Sequence, residues 1–450
     1  MTMRRTAWAA VGTLGVLATL LAPNAVAATQ PAGAQGAGEV IWTRSAEAAP
    51  LVPVGARYSD YADRSGEPAD VTGGLTAGPA APEPTTAEKA AEIARKNGQT
   101  YSADGTGPAA ATRLVNAPGI IDWAKCNADP QGGRLPGHVV DHFNFCRWGY
   151  NTATKLNGSG QVEGQVRFLE TEVGEGSRNR RTYGINLKYT NVTATGVYAG
   201  AGATMTLSPT ASTPCTVGVV NPDGPSRTDS VLAWKGAVTR YNVTSTASAG
   251  NQARIDKTAH CQSRTNYKVN SPRGETPWSL GPAIGGRHDS AAYLAQYGTQ
   301  GAIFWGVMPS FYYSRLDASV KAVAEHVFDA LHAPQLTYPQ KTDKDIPGNI
   351  WSGDQPIHRN FPGFNAASAD VAAKNRSAKD RACAGLASKP GQQCDEFPFA
   401  STKEGAGKGD GNFSVRYVPQ PDNSTAGARL SAWYGQDRIL DGDAYAISVR

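Results

Sequence analysis

Three carboxylates crowd one short stretch near the C-terminus. In CDEFPFASTKEG, residues 394–405, Asp395 and Glu396 are adjacent and Glu404 follows after a polar turn. Successive side chains on a strand leave opposite faces, so one of the pair can face a cleft while the other orients a neighbour. Two close carboxylates raise each other's pKa unless a cation lies between them. Oxygen donors of this kind suit a hard divalent ion such as Mg²⁺ or Mn²⁺. A solvated acidic turn held by a disulfide satisfies the same pattern, because acidic pairs are common on surfaces.

Other potential chemistry is weaker. His138 and His142 in HVVDH have i, i+4 spacing, but turn and strand residues flank them and the glutamate of HExxH is missing. RHDSA at 287–291 makes no triad, and no GxSxG occurs. SRNRR at 177–181 reads as a solvated basic turn. Trp234, Trp305, Tyr312 and Tyr313 fall in strand-like segments and read as core rather than as a stacking platform. His326, beside Glu325, and His358, in PIHRNFPG, are secondary candidates within the C-terminal unit.

The elements that position the carboxylates follow from pattern. MTMRR, an apolar run and Ala25-Val26-Ala27 read as a secretory signal over 1–27. No later stretch is apolar enough to span a bilayer. Roughly 420 residues remain, enough for two or three domains. The charged fraction is 18% and the net charge +5, too mild to imply a polyanion partner by itself. Six cysteines in an exported chain favour disulfides. Cys126–Cys146, Cys215–Cys261 and Cys383–Cys394 is the simplest of fifteen pairings. No CxxC is present, which argues against a zinc–thiolate site.

Residues 28–115, rich in Ala, Pro, Gly and Thr, read as a leader or linker. Thr85 and Glu88 form a capping-box pair for one short helix within it. Residues 116–313 alternate polar and apolar positions between turn residues, as in GQVEGQVRFLETEV and YGINLKYTNVTATGVY. This predicts an antiparallel β-sandwich-like accessory region. From 317 the period changes. Val320, Val323, Val327 and Leu331 recur at helical spacing, with Asp317 as a possible cap and Pro334 as a stop. Strand-like NFSVRYVPQ and AYAISVR, with a helix over NSTAGARLSAWYGQ, complete a small α+β unit over 315–450. The fold class expected is therefore multidomain.

The run NRSAKDRACAGLASKPGQQCDEFPFASTKEG, then VRYVPQPDNSTAG and RILDGDAYAI, resembles the NucA/NucB family of secreted bacterial deoxyribonucleases. The matching features are Asp395-Glu396-Phe397-Pro398, Glu404-Gly405, Val418-Pro419, Asn423 and Ala426-Gly427. The resemblance covers roughly 315–450 and leaves the first 310 residues unexplained. One departure is Gly405-Ala406-Gly407, where the family often has two glycines after the glutamate.

The resemblance implies a ββα-metal nuclease domain with one divalent metal, Mg²⁺ or Mn²⁺. It implies Asp395 as the base that activates water and Asn423 as a metal ligand. Glu404 and Glu396 would complete or orient the metal shell. The expected protein is a secreted, monomeric, largely sequence-nonspecific DNA endonuclease that holds DNA by its phosphates. Other classes consistent with the sequence are a non-catalytic binding protein with a degenerate nuclease domain and an antibacterial DNase toxin. From 341 to 450 the chain carries 14 Lys plus Arg against 13 Asp plus Glu, so any basic surface there must come from tertiary clustering.

Overall fold

The structure is a computed structural model. It describes residues 39–64, 67–68, 70–71, 100–103, 122–219, 226–349 and 355–450. The signal sequence read at 1–27 and the helix read at Thr85 and Glu88 lie outside the described residues. Gly38–Arg450 forms one compact unit. No described helix is long and apolar enough to cross a membrane.

The N-terminal region is β-rich, as its alternating texture predicts. Its long antiparallel strands are β1 (Asn144–Leu156), β2 (Val162–Glu175), β3 (Thr182–Ala194) and β4 (Val238–Thr244). They run in the order β4-β3-β2-β1 within an eight-stranded sheet. A four-stranded sheet holds β5 (Ile284–Asp289) and β6 (Gly301–Phe304), and a six-stranded sheet stands beside it. Phe168, Tyr189, Trp234, Val269 and Phe304, drawn from all three sheets and the turn before β4, share one core. Within the stretch whose composition reads as linker, Val40–Ser45 is a strand paired along β1, and its Trp42 is buried. The surrounding Ala, Pro and Gly mask this short VIWTR segment in any average over composition.

The C-terminal elements start with β7 (Met308–Tyr313). Helices α1 (Lys321–His332) and α2 (Ala366–Cys383) follow, then β8 (Gln392–Phe397) and β9 (Ser414–Pro419). Helix α3 (Gln420–Gln436) and β10 (Ala444–Val449) close the chain. Strands β8 and β9 form a two-stranded hairpin that runs directly into α3. Strands β7 and β10 pair in parallel, with Phe311 opposite Ile447. Val320, Val323, Val327 and Leu331 are all buried, as their spacing predicts. Asp317 does not cap α1. Its side chain instead accepts from Ser319 N at 3.0 Å and pairs with Arg429 at 2.7 Å, and the helix starts at Lys321. Helix α2 carries no apolar stripe in sequence because it buries only Ser368, Ala372, Asn375 and Cys383. The three neighbouring cysteine pairs are disulfides.

The β-rich and C-terminal elements lock together through buried charge. Arg438 and Asp289 are both fully buried and paired, with Arg438 Nε donating to Asp289 Oδ2 at 2.9 Å. Arg438 Nη1 donates to the carbonyls of Arg178 and Gly298, each at 3.0 Å. Arg287 pairs with Asp443 and donates to the Arg438 carbonyl at 2.6 Å. Two glycines admit the partners. A Cβ at Gly301 would collide with the Arg438 guanidinium, and one at Gly435 with the Tyr297 ring. Removing one member of a buried pair leaves the other charge uncompensated. Asp289→Ala should therefore destabilise the protein by about 3–5 kcal/mol in urea unfolding. Glu325→Ala, which breaks the exposed Lys321–Glu325 pair, should cost about 0.5 kcal/mol or less. Equal losses in the two variants would refute this account of the junction.

Candidate active site

The two faces of the β8–β9 hairpin have different neighbours. Asp395 stands opposite Arg416, and Phe397 opposite Ser414. Directly opposed residues share a face. This face packs against α1, where Arg416 reaches Asp329 at 2.7 Å. The other face presents Glu396, Val415 and Tyr417, with Cys394, toward α2. The Cys383–Cys394 disulfide ties the end of α2 to the residue preceding Asp395. Strand β8 pairs with β9 alone among the described strands, so its outer edge is free of a sheet partner.

A cleft of about 490 Å³ lies here and is lined by both Asp395 and Glu396. Helix α3 provides one wall. Asn423, Ala426, Gly427, Leu430, Ser431 and Tyr434 fall at three- and four-residue steps on one helical face. Arg359 and Lys379 also line the cleft, as does Tyr293, which comes from the β-rich region.

Asp395 is braced. Its Oδ2 lies 2.7 Å from His326 Nδ1, and His326 Nε2 lies 2.8 Å from Ser414 Oγ. His326 and Ser414 are fully buried, and Asp395 is 7% exposed. With the His326 proton on Nδ1, the ring donates to Asp395 and accepts from Ser414. A Ser–His–Asp order thus occurs, but the serine is enclosed and cannot meet a substrate. Its effect is to fix the imidazole, which fixes the carboxylate.

Glu396 has a different environment. It is 6% exposed, and its Oε2 is buried without a hydrogen-bond partner. Burial pushes its carboxyl up to about 8, Lys379 opposes the shift, and Asp395 and Asp380 add to it. Asn423 donates from Nδ2 to Gln393 Oε1 at 3.2 Å, leaving its amide oxygen uncommitted by that bond.

Glu404 is not brought to the cleft lining. Both its oxygens hold His358, Oε2 accepting from the backbone N at 2.8 Å and Oε1 lying 2.7 Å from Nδ1. Buried Asn375 of α2 pins the same loop by donating to the Ala400 and Thr402 carbonyls at 3.0 and 2.8 Å. The structure therefore brings Asp395, Glu396 and Asn423 to one cleft, adds His326 behind Asp395, and sets Glu404 with His358 in the supporting loop. Sequence reading passed over Ser414, Arg359 and Tyr293. Arg359 stood inside the PIHRNFPG motif and Tyr293 two residues past RHDSA, but neither was marked.

His138 and His142 make separate contacts, with Asp129 and with the Asp437 carbonyl. Among the described residues, the one close trio of His, Cys and acidic ligand atoms is Cys215, Cys261 and His288. Its two sulfurs are joined in a disulfide and are not available to a metal.

Residues 359–448 match the family described as deoxyribonuclease NucA/NucB. The match spans the hairpin, α3 and the cleft-lining residues from Arg359 onward. No curated protein matches the chain.

The Glu396 environment yields a pH test in EDTA. A carboxyl whose folded pKa is raised binds its proton more tightly in the native state. Its favourable contribution is complete below its ordinary value of 4.5 and falls as pH rises toward about 8. Urea unfolding at pH 5, 6.5 and 8 should show Glu396→Gln gaining on the wild type at each step. Parallel curves for the two proteins would rule out the buried, unpartnered carboxyl.

Proposed function

We propose that this chain is a secreted, metal-dependent endonuclease that hydrolyses DNA phosphodiesters with little sequence preference. The observation that carries the reading is the deoxyribonuclease-family match over 359–448, whose acidic pair lines a cleft. The β8–β9 hairpin followed by α3 has the strand–strand–helix order expected of a ββα-metal unit. Three disulfides suit an oxidising, extracellular setting.

Asp395 is the general base of this reading. Its Oδ2 is committed to His326, so Oδ1 is the oxygen left to take a proton from the attacking water. Ser414 limits rotation of the imidazole and so keeps the carboxylate aimed. The donor set fits a hard cation. Asp395, Glu396 and Asn423 offer oxygen, and a buried Glu396 oxygen lacks a partner. Glu396 and Asn423 would hold Mg²⁺ or Mn²⁺, and a cation beside Glu396 would favour its ionised form. When bound, the metal supplies positive charge where negative charge gathers on the phosphate. Glu404 contributes by fixing the 400–407 loop through His358. The substrate partner is DNA, met by a monomer.

The test uses the whole mature chain, because β7 and Asp289 lie outside 315–450. Plasmid cleavage should require Mg²⁺ or Mn²⁺ and stop in EDTA. Asp395→Asn, nearly isosteric, should lower kcat by roughly 10²–10⁴ while circular dichroism stays native. Ser414→Ala should lower kcat less, on the order of tenfold, because His326 keeps its bond to Asp395. Full activity in a folded Asp395→Asn protein, or no cleavage by the wild type with either metal, would defeat the reading.

A further inference from the structure

Arg359 is a buried cation without a counter-anion. It is 7% exposed, and among the described residues no carboxylate forms an ion pair with it. Its Nη1 donates to the Ile439 carbonyl. Among the described residues no other hydrogen bond to the guanidinium occurs, although Nε and Nη2 are not enclosed. Around it stand three rings, with its guanidinium carbon 4.6 Å from the Tyr434 centroid, 5.6 Å from Tyr293 and 5.7 Å from Phe361.

Ring faces attract a cation but do not neutralise it. Buried charges in proteins are ordinarily paired, because removing an ion from water is costly. Among the described residues, three of the other four buried arginines follow that rule. Arg147 is paired with Glu172, Arg287 with Asp443 and Arg438 with Asp289. The fourth, Arg181, gives its Nε, Nη1 and Nη2 donors to the Ser245 and Lys257 carbonyls and the Ser245 and Ser290 hydroxyls. Arg359 has neither a carboxylate nor a full set of neutral acceptors, and it stands where a ligand can supply the anion, in the wall of the cleft that holds Asp395. The side chain is also held in place. Its own backbone N–H donates to the Asp443 carbonyl and its carbonyl accepts from Gly442 N. Tyr293 is fixed from the β-rich side by donating to Asp256 Oδ2 at 3.0 Å, and it stacks on Phe361 with centroids 4.3 Å apart.

We propose that Arg359 is a phosphate subsite of the cleft, binding a non-scissile phosphate of one DNA strand. This rests on the deoxyribonuclease reading above. The planar guanidinium presents paired N–H donors that match phosphate oxygens. Tyr293 and Phe361 form an apolar wall beside it, which lowers the local dielectric and strengthens the contact. The β-rich region thus builds part of the substrate site. A cleft of about 490 Å³ takes a backbone segment of one strand.

The experiment measures binding, not cleavage. A fluorescent oligothymidylate is titrated with the mature chain in EDTA, over a range of salt. Arg359→Gln should weaken binding about tenfold, as expected for loss of a hydrogen-bonded charge contact. It should also reduce the salt slope by about 0.7, the value for one phosphate on a single strand. Arg359→Lys should keep the slope and recover part of the affinity. A second arm needs only the wild type, in case the variants fold poorly. Oligonucleotides carrying one neutral methylphosphonate at successive positions should show one position with about a tenfold loss. Unchanged affinity and slope in folded Arg359→Gln would overturn the subsite. So would an even methylphosphonate scan, or no oligonucleotide binding by the wild type. Failure of metal-dependent plasmid cleavage, by contrast, would count against the deoxyribonuclease reading and leave this binding result to stand or fall alone.

Discussion

The ion pair of Asp289 and Arg438 is the constraint on which the other contacts depend. Asp289 ends β5 in the β-rich region, and Arg438 follows α3. Both are inaccessible to water, and the guanidinium spends its remaining donors on two backbone carbonyls. Such a pair tolerates little displacement, because each partner alone would be a buried charge. It therefore fixes the segment 437–443 against the β-rich sheets. That segment in turn supplies the Ile439 carbonyl to Arg359 and backbone contacts to the cleft wall. The geometry of the candidate site is inherited from a contact between distant parts of the chain.

A second constraint is the pleat of β8. Adjacent carboxylates leave a strand in opposite directions, and here the two directions meet different surroundings. Asp395 enters a polar brace of His326 and Ser414, which holds one oxygen and leaves the other. Glu396 enters a drier pocket against α2, where nothing hydrogen-bonds its Oε2 and its proton is held tightly. Neighbouring residues of the same chemical type thus meet opposite surroundings, one braced by hydrogen bonds and the other buried with an oxygen lacking a partner. The disulfide at Cys394 ties the hairpin to the end of α2, and the Arg416–Asp329 pair ties it to α1.

The loop after β8 performs a supporting task. Glu404 holds His358 by both oxygens, and Asn375 ties the loop to α2. These bonds keep the chain next to Arg359 in place without entering the cleft. Arg359 itself is left with an unmatched charge among aromatic rings. Protein interiors rarely keep that arrangement without a ligand to balance it.

Local patterns were legible in the sequence. The alternation in 116–313 foretold strands, the valine spacing after 317 foretold α1, and three neighbouring cysteine pairs foretold the disulfides. The acidic pair and Asn423 were marked by motif and do share a cleft. Helix α2 was not legible, because a solvent-facing helix with few buried residues carries no apolar period. Nor was the use of RHDSA, whose Arg287 and Asp289 find partners some 150 residues away. Sequence by itself determined what many segments can form and which residue types are candidates for chemistry, since those follow from side-chain type and short spacing. Tertiary structure alone decided which carboxylate is braced, which is left unpartnered and which turns away to a histidine. It also decided that a tyrosine of the β-rich region lines the cleft. Those outcomes depend on through-space neighbours and local dielectric, which spacing along the chain does not encode.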